Sequence, residues 1–424
     1  MSWVLFGLPV VLLALGFPVF IALLVGAAVT LAVFMNVPGA AVHQALFGAM
    51  DRHALLAVPF FIFAGELMAR GSMSQRLVDW AMSLVGHVRG GLGLATLGGA
   101  TFFGAISGSS VATVAAIGRL VQTPMAEQGY DARFSSGLIA ASAAVAQLIP
   151  PSIALILYGI ASEQSITQLF AAGILPGLVM AVVMGVYIYL VARRHGLETA
   201  TGFRPRQVLC TTWRSGFALG MPVIILGGIY LGVFSPTEAA GVACVYALVV
   251  SSLIYRDVRL PAVWDTAVKS MFLTSQILII VAAAGVFTWV LTVNGIPQAL
   301  TAVVAGFDIP VWQLLIAINL LLLLVGCFLD TPSAILLLTP LLLPVVEQAG
   351  VDPIHFGVIM TLNLSIGLFT PPFGLNLFMT QALMRTALGT LYRGVLPFVA
   401  VSLIALLIVT FVPALSLVLL PYLG

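Results

Sequence analysis

The sequence has very few charged side chains. Only 7% of its 424 residues are Asp, Glu, Lys or Arg, whereas 61% are hydrophobic and the mean hydropathy is +1.18. Soluble domains carry about 25% charged residues, so this composition excludes an ordinary soluble protein. The net charge is only +2, and no basic run is interleaved with aromatic residues. The sequence therefore predicts no nucleic-acid partner.

The patterns of several chemistries are also missing. The three cysteines, Cys210, Cys244 and Cys327, have no metal-ligand spacing, and no His/Cys/Asp/Glu cluster suggests a transition metal. The sequence has no glycine-rich phosphate loop ending in Gly-Lys-Ser/Thr, and no nucleophile–base constellation. We therefore expect neither an enzyme nor a cofactor. No basic segment precedes the first apolar stretch, which predicts a retained span rather than a cleaved signal peptide.

Long apolar stretches dominate what is present. Residues 4–34, 217–234, 239–254 and 394–412 are of spanning or near-spanning length, and 41 Gly and 23 Pro punctuate the apolar runs. Backbone polar groups in lipid must be satisfied internally, which helices achieve. The sequence therefore predicts an all-α polytopic membrane protein. Residues 76–88 are too short and polar to cross, and we expect them along the membrane interface.

A proline pair interrupts two of the apolar stretches. The first lies in residues 147–152 (Gln-Leu-Ile-Pro-Pro-Ser) and the second in residues 368–373 (Leu-Phe-Thr-Pro-Pro-Phe). Each pair removes two backbone donors and prevents a continuous helix. The freed carbonyls need a partner in protein, water or an ion. Two such breaks predict a buried ion or substrate site in a secondary transporter.

The two proline pairs also reveal an internal repeat. Pro371 follows Pro150 by 221 residues (371 − 150), and the same offset places Gly394 on Gly173 and Pro397 on Pro176. We therefore predict two homologous halves, at residues 51–195 and 271–415. The remaining segments are an N-terminal scaffold helix region (1–50), a cytoplasmic loop with a central helix pair (196–270) and a C-terminal tail (416–424).

The distribution of basic residues predicts that the halves have inverted topology. Five arginines lie in residues 189–214, at and after the end of the first half, whereas the corresponding residues 411–424 of the second half contain no Lys or Arg. Arg119 and Arg133 bracket the central turn of the first half, where the second half has Glu347 and Asp352. Basic loops stay on the cytoplasmic side, so equivalent loops lie on opposite sides. Among the basic residues, Arg52 does not fit this pattern.

Each half is predicted to contain a re-entrant helical hairpin and a proline-broken helix. The hairpins cover about 91–125 and about 310–346, with tips at residues 104–110 and 329–333. The broken helices cover about 134–161 and about 356–384. Tips that enter from opposite faces meet the two breaks near the midplane of the membrane. Whether residues 4–34 cross once or bend at Pro18 stays open at this point.

Helix ends at this meeting point have the electrostatics of an ion and substrate site. C-terminal carbonyls suit a small cation and N-terminal N–H groups suit a carboxylate. Hydroxyl, amide and carbonyl oxygens are compatible with Na⁺. The candidate Na⁺-binding residues are Ser107, Gly108, Ser109, Ser110, Ile149, Pro150, Asp330, Thr331, Thr370, Pro371, Gly374 and Asn376. The candidate substrate-binding residues are Ser110, Thr113, Ser152, Asp330 and Ser333.

Structural readings of these residues compete with the functional one. Small residues such as Gly104 and Gly108 permit close helix packing, and prolines kink many membrane helices. The recurrence of tip and break in both halves favours a functional site. Asp330 lies deep in an apolar hairpin, where a cation ligand, a substrate-gating group and a salt bridge are comparable roles. Glu66 is expected near a helix end, solvated or in a local ion pair.

Five motifs resemble one family, the large membrane subunit of TRAP (tripartite ATP-independent periplasmic) transporters. Three are in the first half: residues 58–65 (Val-Pro-Phe-Phe-Ile-Phe-Ala-Gly), 103–113 (Phe-Gly-Ala-Ile-Ser-Gly-Ser-Ser-Val-Ala-Thr) and 147–152. The second half contributes residues 328–332 (Phe-Leu-Asp-Thr-Pro) and 370–376 (Thr-Pro-Pro-Phe-Gly-Leu-Asn). The resemblance covers nearly the whole chain, and the combination of motifs is specific.

The resemblance implies an elevator-type transporter that couples uptake of organic acids, such as dicarboxylates or sialic acids, to Na⁺. It implies two partners, a small four-helix membrane subunit and a periplasmic substrate-binding protein, and places the chain in a bacterial or archaeal inner membrane. The family's Na⁺ sites lie at hairpin tips and helix breaks, which carries over to the matching residues above. A stand-alone carboxylate carrier of the same superfamily and a channel are the alternatives.

Overall fold

The computed structural model describes residues 3–35, 37–197, 202, 204–307 and 309–422. Parts of the predicted segments 1–50, 196–270, 271–415 and 416–424 lie outside these ranges. Within them, all regular secondary structure is helical, which confirms the all-α prediction. By length and composition, six described helices are able to cross a membrane, or seven if one bent helix pair counts as a single span.

The N-terminal region bends before Pro18, so the stretch at residues 4–34, which the sequence left as either one crossing or a bend, is bent. A π-helical turn (Trp3–Gly7) leads into α1 (Leu8–Ala14), and α2 (Val19–Phe34) starts only after Pro18. Helices α1 and α2 pack against each other, so residues 4–34 do not form one straight helix. Helix α3 (Gly39–Met50) ends this region. The turn between α1 and α2 contains Gly16, whose φ of +86° suits a residue without a side chain.

The next helices contain the first predicted hairpin and the first break. A 3-10 turn (His53–Leu56) precedes α4 (Ala57–Arg70) and α5 (Met73–Val85). The predicted hairpin consists of α6 (Gly91–Ser107) and α7 (Ser110–Glu127), which pack together and are separated only by Gly108 and Ser109. The predicted broken helix consists of three elements: α8 (Ala132–Ser142), a 3-10 segment (Ala143–Gln147) and, after the proline pair, α9 (Ile153–Ser162). Helix α10 (Ile166–Arg194) follows.

In the central region, more residues are helical than the apolar stretches alone indicate. It contains α11 (Pro205–Arg214), α12 (Gly216–Tyr230), α13 (Pro236–Val249) with a π-helical end (Val250–Ile254), and α14 (Leu260–Val293). Helix α14 thus begins eleven residues before residue 271, the predicted start of the second half, so the predicted boundary at 270/271 falls inside it. Asp265 and Lys269 lower the hydropathy of its first turns without breaking the helix, because helix propensity does not require apolar residues.

The remaining helices contain the second predicted hairpin and break. They are α15 (Ile296–Gly306), α16 (Val311–Gly326), α17 (Thr331–Gln348), α18 (Pro353–Gly367), α19 (Leu375–Met384), α20 (Leu388–Phe411), α21 (Ala414–Leu417) and a 3-10 turn (Leu420–Tyr422). The predicted hairpin at 310–346 corresponds to α16 and α17, and the broken helix at 356–384 to α18 and α19. Helix α21 crosses the predicted boundary at 415/416.

The two broken helices form the centre of the protein. Every residue of α18 from Ile354 to Gly367 is buried, as are residues 135–149 on α8 and the segment after it. Such all-round burial is typical of a helix enclosed by others. Helices α10 and α20 pack against this centre, whereas α2, α3 and α4 pack against α14 at the periphery. The first break is therefore enclosed in the protein, whereas Pro372 and Phe373 in the second break are exposed.

Candidate functional site

The tip of the first hairpin packs directly on the first helix break. Gly108 has a φ of +57°, and a Cβ at this position would lie 2.7 Å from the carbonyl oxygen of Pro151. Ser109 caps α7 by accepting a hydrogen bond from the backbone N–H of Ala112 (3.4 Å). Thr113 donates to the carbonyl oxygen of Ser109 (2.8 Å). Only glycine permits this close approach, so tip and break form one rigid surface.

The tip of the second hairpin has a carboxylate at its centre. Asp330 caps α17 by accepting a hydrogen bond from the backbone N–H of Ser333 (3.4 Å) and another from the hydroxyl of Ser333. The two described ion pairs, Arg52–Glu163 and Arg70–Asp265, do not involve Asp330. Of the roles considered for Asp330, the salt bridge therefore has no support among the described residues.

The second hairpin also packs on the second break. A Cβ at Gly367 would lie 2.5 Å from the carbonyl carbon of Gly326, so α16 and α18 approach each other through two glycines. The hydroxyl of Thr331, on the same hairpin, is buried without a hydrogen-bond partner among the described atoms. Each proline pair, Pro150-Pro151 and Pro371-Pro372, is joined by a cis peptide bond.

Both tips and both breaks border one cavity of about 600 Å³. Six predicted site residues line it: Ser107, Gly108, Ser109, Ser110, Asp330 and Thr331. The breaks contribute Gln147 and Ile153 from the first broken helix and Leu368 and Leu375 from the second. The structure thus brings together the four segments that the sequence predicts to meet. A volume of this size accommodates a small organic molecule.

Helix ends converge on this cavity. The first residues of four helices line it: Ser110 of α7, Ile153 of α9, Thr331 of α17 and Leu375 of α19. Three helix C-termini also reach the cavity. They contribute Ser107, the last residue of α6, Gln147, the last residue of the 3-10 segment, and Leu368, which directly follows α18. N-terminal N–H groups favour anions, and C-terminal carbonyls favour cations. The cavity therefore offers both kinds of partner.

Two polar contacts connect the first half of the chain to the second behind the cavity. The Ser365 hydroxyl donates to Oε1 of Gln147 (3.0 Å), joining the two broken helices. Nδ2 of Asn376 donates to the Ser110 hydroxyl (2.7 Å) and to the carbonyl oxygen of Ala140 (2.9 Å). Oδ1 of Asn376 is buried and has no partner among the described atoms. This oxygen is a ligand that an alkali cation accepts.

The other predicted residues lie around the cavity without lining it. Thr113, Ser152, Ser333 and Asn376 are fully buried behind its wall. The Ser152 hydroxyl donates to the carbonyl oxygen of Gln147, and that of Thr370 to the carbonyl oxygen of Ile366 (2.7 Å). The remaining candidates are backbone positions at the breaks, outside the lining: Ile149, Pro150, Pro371 and Gly374.

Sequence reasoning missed part of the lining. Glu66 on α4 faces the cavity, and so does Gln276 on α14. The charges of Lys269 and Arg119 act on the Glu66 carboxylate, but neither described ion pair includes it. The signal in the sequence is the glycine that precedes Glu66. A Cβ at Gly65 would lie 2.7 Å from Cα of Ser107, so a larger residue would not fit there. The small residue lets α4 approach the first tip, which carries Glu66 to the cavity.

The polar lining of the cavity consists mainly of groups that offer oxygen atoms. Within the described ranges, no group of three or more His, Cys, Asp or Glu residues is arranged to hold a metal ion. Hydroxyl, amide and backbone oxygens dominate the polar lining, with Glu66 and Asp330 as its carboxylates. Such oxygen ligands suit hard cations.

Comparison with known proteins gives matches over nearly the whole chain. Residues 6–415 match the family described as "Tripartite ATP-independent periplasmic transporter, DctM component". The C4-dicarboxylate TRAP transporter large permease protein DctM of Pseudomonas aeruginosa is 41% identical and covers 89% of each chain. The ectoine/5-hydroxyectoine TRAP transporter large permease protein of Ruegeria pomeroyi is 38% identical and covers 96% of each. The isethionate TRAP transporter permease protein DctMQ of Oleidesulfovibrio alaskensis is 38% identical over 97% of this chain but 65% of its own length.

Solved structures show a similar fold at low sequence identity. The YdaH transporter of Alcanivorax borkumensis superimposes with a TM-score of 0.61 over 96% of this chain and 98% of its own, at 16% identity. The Neisseria gonorrhoeae MtrF efflux pump gives 0.51 over 95% and 94%, at 14% identity. At these identities the similarity concerns the fold alone.

Proposed function

The chain belongs to the DctM family of TRAP transporter large permease subunits, and from this premise we propose that it imports a small organic acid by Na⁺ symport. It is a multi-pass inner-membrane protein and a transporter subunit, not an enzyme. In the proposed cycle, a periplasmic binding protein delivers the substrate, and the hairpins and broken helices carry it across by an elevator movement.

The partners follow from the family. TRAP large permeases work with a small membrane subunit and a periplasmic binding protein. One relative is named DctMQ, a name that joins two components. We therefore propose that this chain works with a small membrane subunit of four helices. This proposal ranks above a stand-alone carrier or a channel.

One observation carries the proposal: the cavity of about 600 Å³ at which four helix N-termini and three helix C-terminal segments meet. A carboxylate accepts hydrogen bonds from the N–H groups at positions such as Ser110 and Thr331. A Na⁺ ion nearby coordinates hydroxyl and carbonyl oxygens at Ser107, Ser109, Asp330 and the breaks. Opposite charges in one low-dielectric site stabilise each other, which couples the binding of ion and substrate.

The proposed inverted repeat fits the order of the elements. The first hairpin and broken helix (α6 to α9) and the second (α16 to α19) recur with the offset of 221 residues that separates the two proline pairs. The hairpins pack on the broken helices (α6 on α8, α17 on α9 and α16 on α18), and α4 and α14 contact the hairpins. This packing supports an elevator in which these helices move as a unit against a scaffold.

The substrate class rests on the relatives and on the cavity. The relatives are named for C4-dicarboxylates, isethionate and ectoine, which all carry a carboxylate or sulfonate group. Helix N-termini recognise such groups without distinguishing the rest of the molecule. We propose a dicarboxylate, a sialic acid or a similar carboxylate as the substrate, with the choice made mainly by the binding protein.

The first test requires no substrate. The melting temperature of the purified protein is titrated with NaCl, KCl and choline chloride at constant ionic strength. We expect a saturable rise that is specific to Na⁺ and weakened in Ser109→Ala and Thr370→Ala, because an ion that binds only the folded state stabilises it. An equal response to all three salts would contradict Na⁺ coupling.

Two matched controls separate a lost ligand from a lost hydrogen bond. Ser165 caps α10 as Ser109 caps α7, accepting a backbone hydrogen bond of 3.4 Å, but it is exposed and remote from the cavity lining. Thr292 donates to the carbonyl four residues earlier, as Thr370 does, and is also exposed. Ser165→Ala and Thr292→Ala should keep the Na⁺ response. Na⁺-driven uptake of labelled succinate, isethionate or ectoine with both partners present then tests transport itself.

A further inference from the structure

A second, smaller pocket lies apart from the transport cavity, between α5, α11 and the start of α12. Its volume is about 280 Å³, and every residue that lines it is polar or charged. Two arginines, Arg76 and Arg214, and four uncharged hydrogen-bonding residues, Ser72, Gln75, Thr211 and Ser215, form most of the wall. It shares no lining residue with the cavity at the hairpin tips.

The electrostatics of this pocket favour an anion. Arg76 donates from Nε to the Ser72 hydroxyl (3.1 Å) and from a terminal nitrogen to the carbonyl oxygen of Arg214 (3.1 Å). Its guanidinium carbon lies 3.9 Å from the centroid of the Tyr255 ring, so the group is held in place with donors to spare. Asp79 is the one carboxylate in the lining, and it accepts a hydrogen bond from Gln75 (2.7 Å). Next to the lining, the Asp257 carboxylate accepts a hydrogen bond from the backbone N–H of Ser72 (2.6 Å). The lining itself thus has two guanidinium groups and one carboxylate.

The position of the pocket corresponds to the membrane surface. Helix α11 meets the apolar helix α12 at an angle of 65°, with Ser215 between them, so the chain turns there from the surface into the membrane. Exposed tryptophans lie at the same end of the protein: Trp213 on α11 is 87% exposed and Trp264 in the first turns of α14 is 72% exposed. Tryptophan is enriched at the level of lipid headgroups.

Helix α11 is bound to α5 through polar side chains, and its apolar side chains are exposed. Thr211 donates to the Ser83 hydroxyl (2.8 Å), and Nε1 of Trp80 donates to the Thr212 hydroxyl (3.1 Å), which ties α11 to α5. Leu209 (73% exposed) and Trp213 lie four residues apart, on one side of the helix. Apolar side chains thus lie beside an anion-binding pocket on the same short helix.

We propose that this pocket binds the phosphate group of an anionic phospholipid, with the acyl chains lying along Leu209 and Trp213. Arg76 and Arg214 supply charge-assisted hydrogen bonds to the phosphate oxygens, and the Ser72 hydroxyl, which accepts from Arg76, donates its own hydrogen to the phosphate. A free phosphate ion uses the pocket but not the exposed apolar residues next to it, so the lipid accounts for both features. The arginines at 193–214 place this end on the cytoplasmic side, where anionic headgroups attract basic segments.

The test measures lipid binding to the full-length protein, alone and in complex with its small membrane subunit. Apparent dissociation constants are obtained by native mass spectrometry and by thermal shift for phosphatidylglycerol, phosphatidylcholine and inorganic phosphate. We expect phosphatidylglycerol to bind best and Arg214→Gln to weaken its binding about tenfold, because a charge-assisted hydrogen bond is lost. Arg206→Gln removes an exposed charge from the same helix but not from the pocket, and should leave binding unchanged.

Further variants keep the test decisive if Arg214→Gln folds poorly. Arg214→Lys retains the charge and loses the bidentate geometry, so we expect intermediate affinity. Trp213→Ala should weaken binding of phosphatidylglycerol but not of inorganic phosphate. The proposal is wrong if inorganic phosphate stabilises the protein as strongly as the lipid does, or if phosphatidylcholine binds equally well. It is also wrong if the complex excludes lipid because the small subunit covers the pocket.

Discussion

The amide Nδ2 of Asn376 lies 2.7 Å from the hydroxyl of Ser110 and donates to it, across 266 residues of chain. Ser110 is the first residue of α7, and Asn376 lies in the first turn of α19. The contact thus ties the tip of the first hairpin to the helix after the second break. In the proposed elevator, it keeps the two halves of the moving unit in register.

Removing this contact should destabilise the protein measurably. Asn376→Ala leaves the Ser110 hydroxyl and the carbonyl oxygen of Ala140 without their donor, at a cost of about 1–3 kcal/mol. We expect a lower melting temperature in detergent. The matched control is Thr380→Val, one turn further along α19, whose buried hydroxyl has no partner among the described atoms. That change should be neutral or stabilising, and equal losses in both variants would argue against the contact.

The glycine at the first tip should not tolerate a side chain. Gly108→Ala places a Cβ 2.7 Å from the Pro151 carbonyl oxygen at a φ of +57°, so both the packing and the backbone conformation are strained. We expect a melting temperature well below that of the unmodified protein and loss of the Na⁺-specific stabilisation. The same substitution at Gly389, whose Cβ meets no atom within 4 Å, should have little effect. A Gly108→Ala protein with normal stability would show that tip and break are not packed as described.

Glu66 should contribute to cation binding in the cavity. One negative charge acting over about 10 Å at an effective dielectric constant of about 20 changes the binding free energy of a monovalent cation by about 1–2 kcal/mol. Glu66→Gln should therefore raise the Na⁺ concentration for half-maximal stabilisation about tenfold. Glu127→Gln, an exposed position at the end of α7, is the control. An unchanged Na⁺ titration in Glu66→Gln would remove this residue from the site.

The exposed ion pair between Arg52 and Glu163 should contribute little to stability. Its atoms are 3.1 Å apart, and it joins the segment before α4 to the end of α9, with side chains 51% and 72% exposed. Such an exposed pair contributes about 0–1 kcal/mol, so it does not lock the protein, and Glu163→Gln should barely change the melting temperature. It also explains Arg52, which fits the basic-residue pattern poorly, because Glu163 compensates its charge.

A covalent link at the same place should stop transport. Arg52→Cys with Glu163→Cys, in a background without Cys210, Cys244 and Cys327, provides two thiols for a bifunctional methanethiosulfonate cross-linker that spans the gap left by the shorter side chains. If α9 moves against α4 during the cycle, cross-linking should abolish uptake and a reducing agent should restore it. Each single cysteine variant serves as the control. Full uptake by the cross-linked protein would exclude relative movement of these two segments.

Sequence reasoning identified the elements of the site where the determinant is local. Pro150 and Pro371 mark both breaks, because a proline removes a backbone donor regardless of its surroundings. Residues 104–110 and 329–333 mark the tips, since their small and polar side chains interrupt apolar stretches. These effects act within about four residues, so they are legible in one stretch of sequence. The lining of the cavity by Ser107 to Ser110 and by Asp330 and Thr331 followed from them.

The composition, the long apolar stretches and the proline pairs by themselves determined that this is a helical membrane protein with two interrupted helices. Only the tertiary structure decided that Glu66 and Gln276 face the same cavity, that α14 begins at Leu260, and that Asn376 reaches Ser110. The direction in which a side chain points depends on which helices pack together. That choice is made by close contacts between distant residues, such as Gly108 with Pro151 and Gly367 with Gly326. Such contacts leave no periodic trace in the sequence of either partner.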